Sequence, residues 1–370
     1  VRPFAAGQFP QDDRLILPPA AAHTEEETAM TYAEALTALI ERRDLDRDRM
    51  VLLMRQVMQG ELTPAQIAGL VVALRAKGET VDEIAGAASV MRELVTRVDV
   101  ADVDNLVDTC GTGGDAQHTF NVSTASALVA AAAGAHVAKH GGRSVSSLCG
   151  SADVLEALGV HLGLDPAAVA RSIREVGVGF MFAPSHHAAM KHAAPVRKEL
   201  GVRTMFNILG PLTNPAGAPN QVMGVFRREL VGLQARVLHA LGSRHVMVVH
   251  GADGLDEITI TGNTDVAELR DGKVTEYRVN PVQFGFEVST IADIRVDSVE
   301  AAKAMLLGVL DDRPGAARDI VALNAGAAIY VSGLAPSLEA GVRRALEQIA
   351  SGAAKAKLEQ LVAFSRQAAA

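Results

Sequence analysis

The stretch "DTCGTGGDAQHTFNVST" runs from Asp108 to Thr124. It gathers Gly111, Gly113 and Gly114, then Asp115, then the polar set Thr119, Asn121, Ser123 and Thr124. Glycine reaches backbone angles closed to other residues. A turn rich in it can therefore aim successive N–H groups into one hollow that attracts an anion. The helix-forming run "ASALVAAAAG" follows at once, and its N-terminus adds unpaired N–H groups and a positive dipole end. Amides, hydroxyls and a helix start in one segment suit a phosphate group. Asp115 fits beside an anion only if it binds sugar hydroxyls or a metal-bound water. Alone, the motif is neither the P-loop nor the dinucleotide fingerprint, and a plain strand–turn–helix junction would carry the same glycines.

Three further stretches bear on this choice. "KHGGRSVSSLCGS" (139–151) sets Lys139 and Arg143 around Gly141 and Gly142, with Ser144, Ser146, Ser147 and Ser151 after them. At the end of a buried strand these groups form a second anion cradle; the alternative is a solvated loop closed by Ser151 as a helix cap. "HGADGLDEIT" (250–259) carries Asp256 and Glu257, adjacent oxygen ligands of the kind Mg²⁺ uses when phosphates complete its shell. The alternative is a solvated acidic pair. "FAPSHHAAMKHAAPVRKELGVRTMFNILGPLTNPA" (182–216) carries His186, His187, His192, Arg197 and Arg203. The histidine spacing matches no zinc pattern, although one of them could line a pocket. Arg197 or Arg203 could hold a carboxylate by a forked pair of hydrogen bonds, or serve at the surface. No Ser-His-Asp or Cys-His arrangement with usable spacing is present, so covalent nucleophilic catalysis has no support.

The elements that must position these groups follow from pattern. With 370 residues, about half of them apolar, the chain is long enough for two globular domains. Residues 1–29 are expected to be a flexible extension without the layout of a signal peptide. Residues 30–100 read as a helical domain: Tyr32, Leu36, Leu39 and Ile40 share one face, as do Met50, Leu53, Met54 and Val57. Thr63, Pro64 and Gln66 start a helix that Gly78 ends, and Thr80 with Glu83 starts the next. Residues 101–370 alternate short apolar runs with helices, which predicts an α/β domain with a mostly parallel central sheet. Strands are expected at 135–140, 179–183, 222–226 and 244–251, and an antiparallel hairpin at Asp271-Gly272. Helices are expected at 151–159, between Asp165 and Gly177, between the last two strands, and over Val296–Leu310 and Leu338–Phe364. The net charge of −8 and the lack of a long basic block argue against nucleic acid. No stretch is long and apolar enough to cross a membrane. Cys110 and Cys149 have no metal-type spacing, and a reducing cytoplasm is the expected location.

Taken together, "GTGGD", "NVST", "KHG" followed by "RSVSS", "PVRKELGVRTMFNILGPLTNP" and "DGLDE" resemble the anthranilate phosphoribosyltransferase family in order and spacing, from about Thr31 to the C-terminus. The resemblance implies transfer of a phosphoribosyl group from phosphoribosyl pyrophosphate to the amine of anthranilate, in tryptophan biosynthesis. It implies the phosphoribosyltransferase-like fold, with the helical domain joined by a mid-chain helical excursion near 190–205, and a homodimer. Gly111, Gly114, Asp115, Thr119, Asn121, Val122, Ser123 and Thr124 would line the phosphoribosyl pyrophosphate site. Lys139, His140, Gly141, Gly142, Arg143, Ser144, Val145, Ser146, Ser147 and Ser151 would join them. Ser123, Asp256 and Glu257 would hold Mg²⁺, and Gly111, Gly142, His187 and Arg197 would meet anthranilate. One departure is Gly142, where the family usually has an Asn able to hydrogen-bond the acceptor. Pyrimidine-nucleoside phosphorylases resemble the same fold and share a Gly-rich phosphate loop, but Asp256-Glu257 and "NILGPLTNP" count against them. A non-catalytic relative that keeps only the phosphate cradle is the other alternative, and Gly142 is the one local hint of it.

Overall fold

The computed structural model describes residues 31–143 and 149–369. The expected extension over 1–29 lies outside the described residues. Helices come first: α1 (Tyr32–Ile40), α2 (Arg47–Gln59), α3 (Pro64–Lys77) and α4 (Val81–Leu94). Their starts are locally encoded. Thr31 with Glu34, Thr63 with Gln66 and Thr80 with Glu83 form capping boxes, and Pro64 stands at the first position of α3. Gly60 closes α2 in the left-handed region at φ 76°. Met50, Leu53, Met54 and Val57 form the buried face of α2. Glu83 is wholly buried, which is tolerable because it is paired. Its carboxylate accepts from the Leu45 and Thr80 amides at 3.0 and 2.8 Å and meets Lys77 at 3.0 Å.

The strands are β1 (Leu106–Asp108), β2 (His136–Gly141), β3 (Val178–Phe182), β4 (Asn220–Gly224), β5 (His245–Gly251), β6 (Thr264–Arg270) and β7 (Lys273–Val279). They form one seven-stranded sheet in the order β3-β2-β1-β4-β5-β6-β7. Strands β1 to β5 are parallel, and β6 and β7 are antiparallel additions. The hairpin turns at Asp271 and Gly272, with φ of 51° and 73°, and pairs Arg270 with Lys273. Positive φ at both turn residues matches the right-handed twist of the strands.

Around the sheet lie α5 (Val122–Ala132), α6 (Ser151–Ala157), α7 (Pro166–Val176), α8 (Ala183–His186), α9 (Ala194–Leu200), α10 (Phe206–Leu209), α11 (Leu230–Ala240), α12 (Val299–Leu310), α13 (Ala316–Val331), α14 (Leu338–Ala350) and α15 (Ala353–Ala369). Four details differ from expectation. Helix α5 begins at Val122, so Ser123 and Thr124 lie inside its first turn and not ahead of it. Gly150, not Ser151, caps α6, with its N–H donating to Asp153 Oδ2 at 2.8 Å. Helix α12 starts after its cap Ser298 and not at Val296. The helix expected over Leu338–Phe364 is two helices, because Gly352 turns the chain at φ 75° between α14 and α15.

One core packs α5 and α13 against one face of the sheet through Leu128, Val137, Ile320 and Ile329. The other face packs α11 and α1–α4 in a second core, which also takes in Ala193 and Val196 from the 190–205 segment. Each fully buried Leu, Ile or Val adds about 1.5–3 kcal/mol of transfer free energy, so the shared core fastens the helical unit to α9, α10 and α11, and α11 packs on the sheet. The chain runs β1-β2-β3 to one side and β4-β5 to the other. The connection order therefore reverses between β1 and β4. The crevice beyond the carboxyl ends of strands at such a point is where open α/β sheets bind ligands.

Candidate functional site

The glycine stretch leaves β1 at Asp108 and crosses the end of β4. The Thr112 N–H donates to the Gly224 carbonyl at 2.9 Å, and the Thr112 hydroxyl accepts from the Phe226 N–H at 3.1 Å. Gly113 and Gly114 then take φ of 63° and 76°. The acidic loop after β5 folds onto this turn. Asp256 Oδ2 accepts the Gly113 N–H at 2.7 Å. A Cβ on Gly111 would sit 2.8 Å from that same oxygen, and one on Gly224 only 1.5 Å from the Asp256 carbonyl oxygen. Both glycines are there because the acidic loop passes too close for a side chain.

Glu257 faces the start of α5, where the Ser123 backbone amide helps hold its charge. Lys139 closes the other side. It is 3 % exposed, and its Nζ donates to Ser123 Oγ at 3.1 Å and to the Thr109 carbonyl at 3.0 Å. Ser123, Lys139 and Glu257 therefore meet at the N-terminus of α5, with Asp256 beside them on the Gly113 amide. Burial raises the proton affinity of both acidic side chains. The neighbouring Asp115 adds to this at Asp256, and Asp256 adds to it at Glu257. Carboxyls crowded so that each resists ionisation are relieved by a cation between them. An all-oxygen donor set of carboxylates and a hydroxyl suits Mg²⁺. Among the described residues no three of His, Cys, Asp and Glu cage an ion by themselves. Thr124 Oγ1 is buried with no hydrogen-bond partner among the described residues.

A pair of imidazoles stands at the end of β2. His140 Nε2 and His187 Nε2 are 3.1 Å apart, with ring centroids 5.0 Å apart. Burial lowers the pKa of both, His140 well below its ordinary value and His187 to about 4. Both rings are therefore neutral near pH 7, and one Nε2–H donates to the other. A Cβ on Gly141 would come within 2.3 Å of Ser151 Oγ and 3.2 Å of Phe180 Cε2, so the Ser151 hydroxyl would have to turn away. Among the described residues, a Cβ on Gly142 would meet Ala183 Cβ alone, at 4.0 Å.

Arg197 on α9 is half-buried, its guanidinium 5.7 Å from the centre of the Phe206 ring. Burial lowers its pKa, and it has no carboxylate partner among the described residues. A desolvated guanidinium of this kind favours an incoming carboxylate. Arg203 is committed elsewhere: it donates to the Gly114 carbonyl and stacks 4.2 Å above Phe226.

The Arg143 guanidinium meets Asp153 and Glu156 of α6, at 2.9 Å each, and its side chain is half exposed. Ser151 donates to the Gly142 carbonyl at 3.4 Å. Thr119 bridges to Arg295, and Asn121 donates from Nδ2 to the Cys149 carbonyl at 3.1 Å. His186 is buried with Nδ1 2.7 Å from the Thr96 carbonyl oxygen, and His192 packs against Gly60 at the end of α2. Both serve structure. Ser144, Val145, Ser146 and Ser147 lie outside the described residues.

Sequence reasoning missed the layer beneath the cradle. Asp108 is 1 % exposed and accepts from Asn214 Nδ2 at 2.7 Å and from the His140 N–H at 3.3 Å. Burial lifts its pKa to about 6, against the pull of Asn214 and Lys139. Asn214 also donates to the Ala138 carbonyl at 2.9 Å, tying the end of β1 to β2. The available signal was an Asp closing an apolar strand just before the glycine turn. Gly224 also had one, since a glycine inside a strand pattern marks close backbone approach. A cavity of about 420 Å³ lined by His245, Arg270 and Tyr330 opens at the other end of the sheet.

Comparison with known proteins bears on this geometry. Residues 103–355 match the α/β domain of a glycosyl transferase family, and residues 33–95 match its helical bundle domain. The chain is 62 % identical over 339 residues to the anthranilate phosphoribosyltransferase of Thiobacillus denitrificans, covering 92 % of this chain and 99 % of that one. It is 61 % identical over 341 residues to that of Laribacter hongkongensis, covering 92 % and 100 %. Among solved structures, the anthranilate phosphoribosyltransferase of Thermus thermophilus superposes with a TM-score of 0.85 at 45 % identity, over 90 % of this chain and 99 % of that one. The Saccharomyces cerevisiae enzyme in complex with PRPP (phosphoribosyl pyrophosphate) and Mg superposes with a TM-score of 0.77 at 25 % identity, over 91 % and 94 %.

Proposed function

This chain belongs to the anthranilate phosphoribosyltransferases, pentosyl-transferring enzymes of tryptophan biosynthesis, and from that premise we propose how its own residues carry the reaction. The observation that carries the reading is the acidic loop folded onto the glycine turn, with Asp256 on the Gly113 amide and Glu257 against Ser123 at the head of α5. Phosphoribosyl pyrophosphate lies across the switch point, its phosphates on the glycine amides, the α5 hydroxyls and Lys139. Ser123, Asp256 and Glu257 hold Mg²⁺, which when bound neutralises charge on the pyrophosphate. That the yeast enzyme is solved in complex with PRPP and Mg supports the use of these two ligands.

The bond from ribose C1 to the pyrophosphate oxygen breaks, and a bond from C1 to the anthranilate nitrogen forms. The electron pair of the first bond leaves with pyrophosphate. The remaining amides of the glycine turn and the buried Lys139 ammonium face that growing negative charge, and fixed dipoles in a water-poor site are effective there. The aromatic amine is neutral near pH 7 and attacks with its own lone pair, then releases its proton after the C–N bond has formed. A strong base is not needed, and the neutral His140–His187 pair offers none. Arg197 binds the anthranilate carboxylate, and the imidazoles border the ring. Orientation and electrostatics then account for most of the acceleration. The protein acts as a cytoplasmic homodimer, and the exposed Ile40, Leu52, Val72 and Leu94 of α1–α4 support a partner surface there.

Loss of anthranilate fluorescence in the presence of phosphoribosyl pyrophosphate and Mg²⁺ tests the reading. We expect consumption that stops when Mg²⁺ is chelated. Phosphorolysis of uridine or thymidine with free phosphate, and no anthranilate consumption, would instead support a nucleoside phosphorylase.

A further inference from the structure

Beyond Gly113 and Gly114, the backbone stays in the left-handed region at two residues that carry side chains. Ala116 has φ 59° and His118 has φ 56°. Residues other than glycine adopt this conformation at a steric cost, and it persists only where the surroundings over-determine it. Between them stands half-buried Gln117. Its N–H donates to Asp115 Oδ1 at 3.2 Å. Its side-chain Nε2 donates to the Asp253 carbonyl at 2.8 Å. Arg295 grips the same residue twice, with Nε on the Gln117 carbonyl at 3.1 Å and Nη2 on Oε1 at 3.2 Å. The next residues join the segment around Arg295 through Val296 N–H to the His118 carbonyl at 2.9 Å and Phe120 N–H to the Ile294 carbonyl at 3.1 Å.

Asp253 is a firm anchor for this strap. Its Oδ2 accepts the Thr259 and Thr261 hydroxyls at 2.6 Å each, and its Oδ1 accepts the Leu255 N–H at 3.1 Å. It sits three positions before Asp256 on the acidic loop. Gly254, at φ 92°, lets the strap pass: a Cβ there would be 3.3 Å from Gln117 Nε2. One side chain thus ties the loop of Asp115 to the loop of Asp256 and Glu257, and an exposed arginine ties that side chain to a third segment.

We propose that Gln117 and Arg295 form a positioning latch that holds the strained Asp115–His118 segment against Asp253, and so sets the affinity of the acidic cradle for metal-bound pyrophosphate. The proposal rests on the phosphoribosyl pyrophosphate reading of the site. Gln117 acts through Asp115 and Asp253, and Arg295 acts through Gln117.

The test uses the full chain and its Gln117→Ala, Arg295→Ala and doubly substituted forms. Binding of magnesium pyrophosphate is followed by titration calorimetry, alongside steady-state kinetics and melting temperature. Each single variant should bind magnesium pyrophosphate about 3–10-fold more weakly, the value of one or two such hydrogen bonds. The double variant should be within about twofold of the weaker single, because both remove the same strap. The KM for anthranilate should stay within about twofold. Arg295 is exposed, so its variant probes the latch without disturbing the loop itself. Ala116→Gly placed in the Gln117→Ala background should recover much of the loss, since glycine removes strain the latch had offset. Wild-type affinity in both single variants overturns the latch. So does a loss that strikes both substrates equally with a matching fall in melting temperature, or a failure of Ala116→Gly to recover binding. If the wild-type protein does not bind magnesium pyrophosphate, the reading of the site fails and the latch with it.

Discussion

Asp256 Oδ2 accepts the backbone N–H of Gly113 at 2.7 Å, although 143 positions separate the two residues. The contact brings the acidic loop after β5 onto the glycine turn after β1, across the strand β4 that lies between them in the sheet. Everything the cradle does depends on that approach, and Gly111 and Gly224 are the residues that permit it.

Gly224→Ala should therefore disrupt the site from a distance in sequence. Its Cβ would stand 1.5 Å from the Asp256 carbonyl oxygen, so the acidic loop must move. Forcing atoms into packed space costs about 1–3 kcal/mol, occasionally more. Urea denaturation should show a loss of at least that order, and turnover should fall more than tenfold. Wild-type stability with wild-type turnover would mean the loops are not in contact.

Arg197→Ala should separate the two substrates. A forked, charge-assisted contact is worth about 1.5–3 kcal/mol, so the KM for anthranilate should rise roughly 10–100-fold. The KM for phosphoribosyl pyrophosphate should stay within about threefold, because Arg197 packs on Phe206 and not on the glycine turn. Steady-state titration of both substrates checks this, and the reverse pattern would remove Arg197 from the acceptor site.

Gly142→Asn should be tolerated by the fold. The position is free of positive φ, and among the described residues its Cβ would meet Ala183 Cβ alone, at 4.0 Å. The melting temperature should stay within about 2 °C of wild type, consistent with the small effect of a substitution that meets no packed neighbour. An amide placed there has the means to hydrogen-bond the acceptor, and the KM for anthranilate should fall by about threefold or more. A rise in that KM would show that the gap left by Gly142 is needed by the acceptor.

Glu268 gives the protein a defined acid response. Burial alone would raise its pKa, but hydrogen bonds from His245, Tyr330 and Tyr277 outweigh that and lower it to about 2. A carboxylate whose folded pKa is depressed stabilises the fold fully above its unfolded pKa, near 4.3. That stability is lost as pH falls through the folded value. The stability gap between wild type and Glu268→Gln should thus be largest at neutral pH, on the order of 1–2 kcal/mol once solvent screening of this half-buried group is allowed for. It should be about half gone near pH 3. Urea midpoints of both proteins measured from pH 7 to pH 2 check the sign; a gap that widens in acid would contradict it.

Local chemistry was the legible part of this chain. The capped starts of α1, α3, α4 and α7 depend on residues within one turn, and Thr63, Pro64 and Gln66 announce α3 without help from the rest of the fold. The Asp271-Gly272 hairpin is equally local. Strand β1 has three residues, too few for a pattern, yet it is the middle one of the five parallel strands. The break at Gly352 was hidden because apolar periodicity continues through it. At the site, residue types pointed to the glycine turn, Lys139 and the acidic pair, because each carries its chemistry in its own side chain or backbone freedom. What each side chain does with its partners was not legible. Arg143 pairs with Asp153 and Glu156, while Arg203 is spent on Gly114. Asp108 and Asn214 gain their role only when β1 and β2 lie side by side.

Asp256→Asn tests the central claim most directly, since it keeps the shape of the side chain and removes the charge offered to Mg²⁺. With both substrates and Mg²⁺ saturating, turnover should drop ~10²–10³-fold, about 2.7–4 kcal/mol of lost transition-state stabilisation, with the melting temperature near that of wild type. Turnover within threefold of wild type under the same conditions would contradict a metal-assisted departure of pyrophosphate at this site.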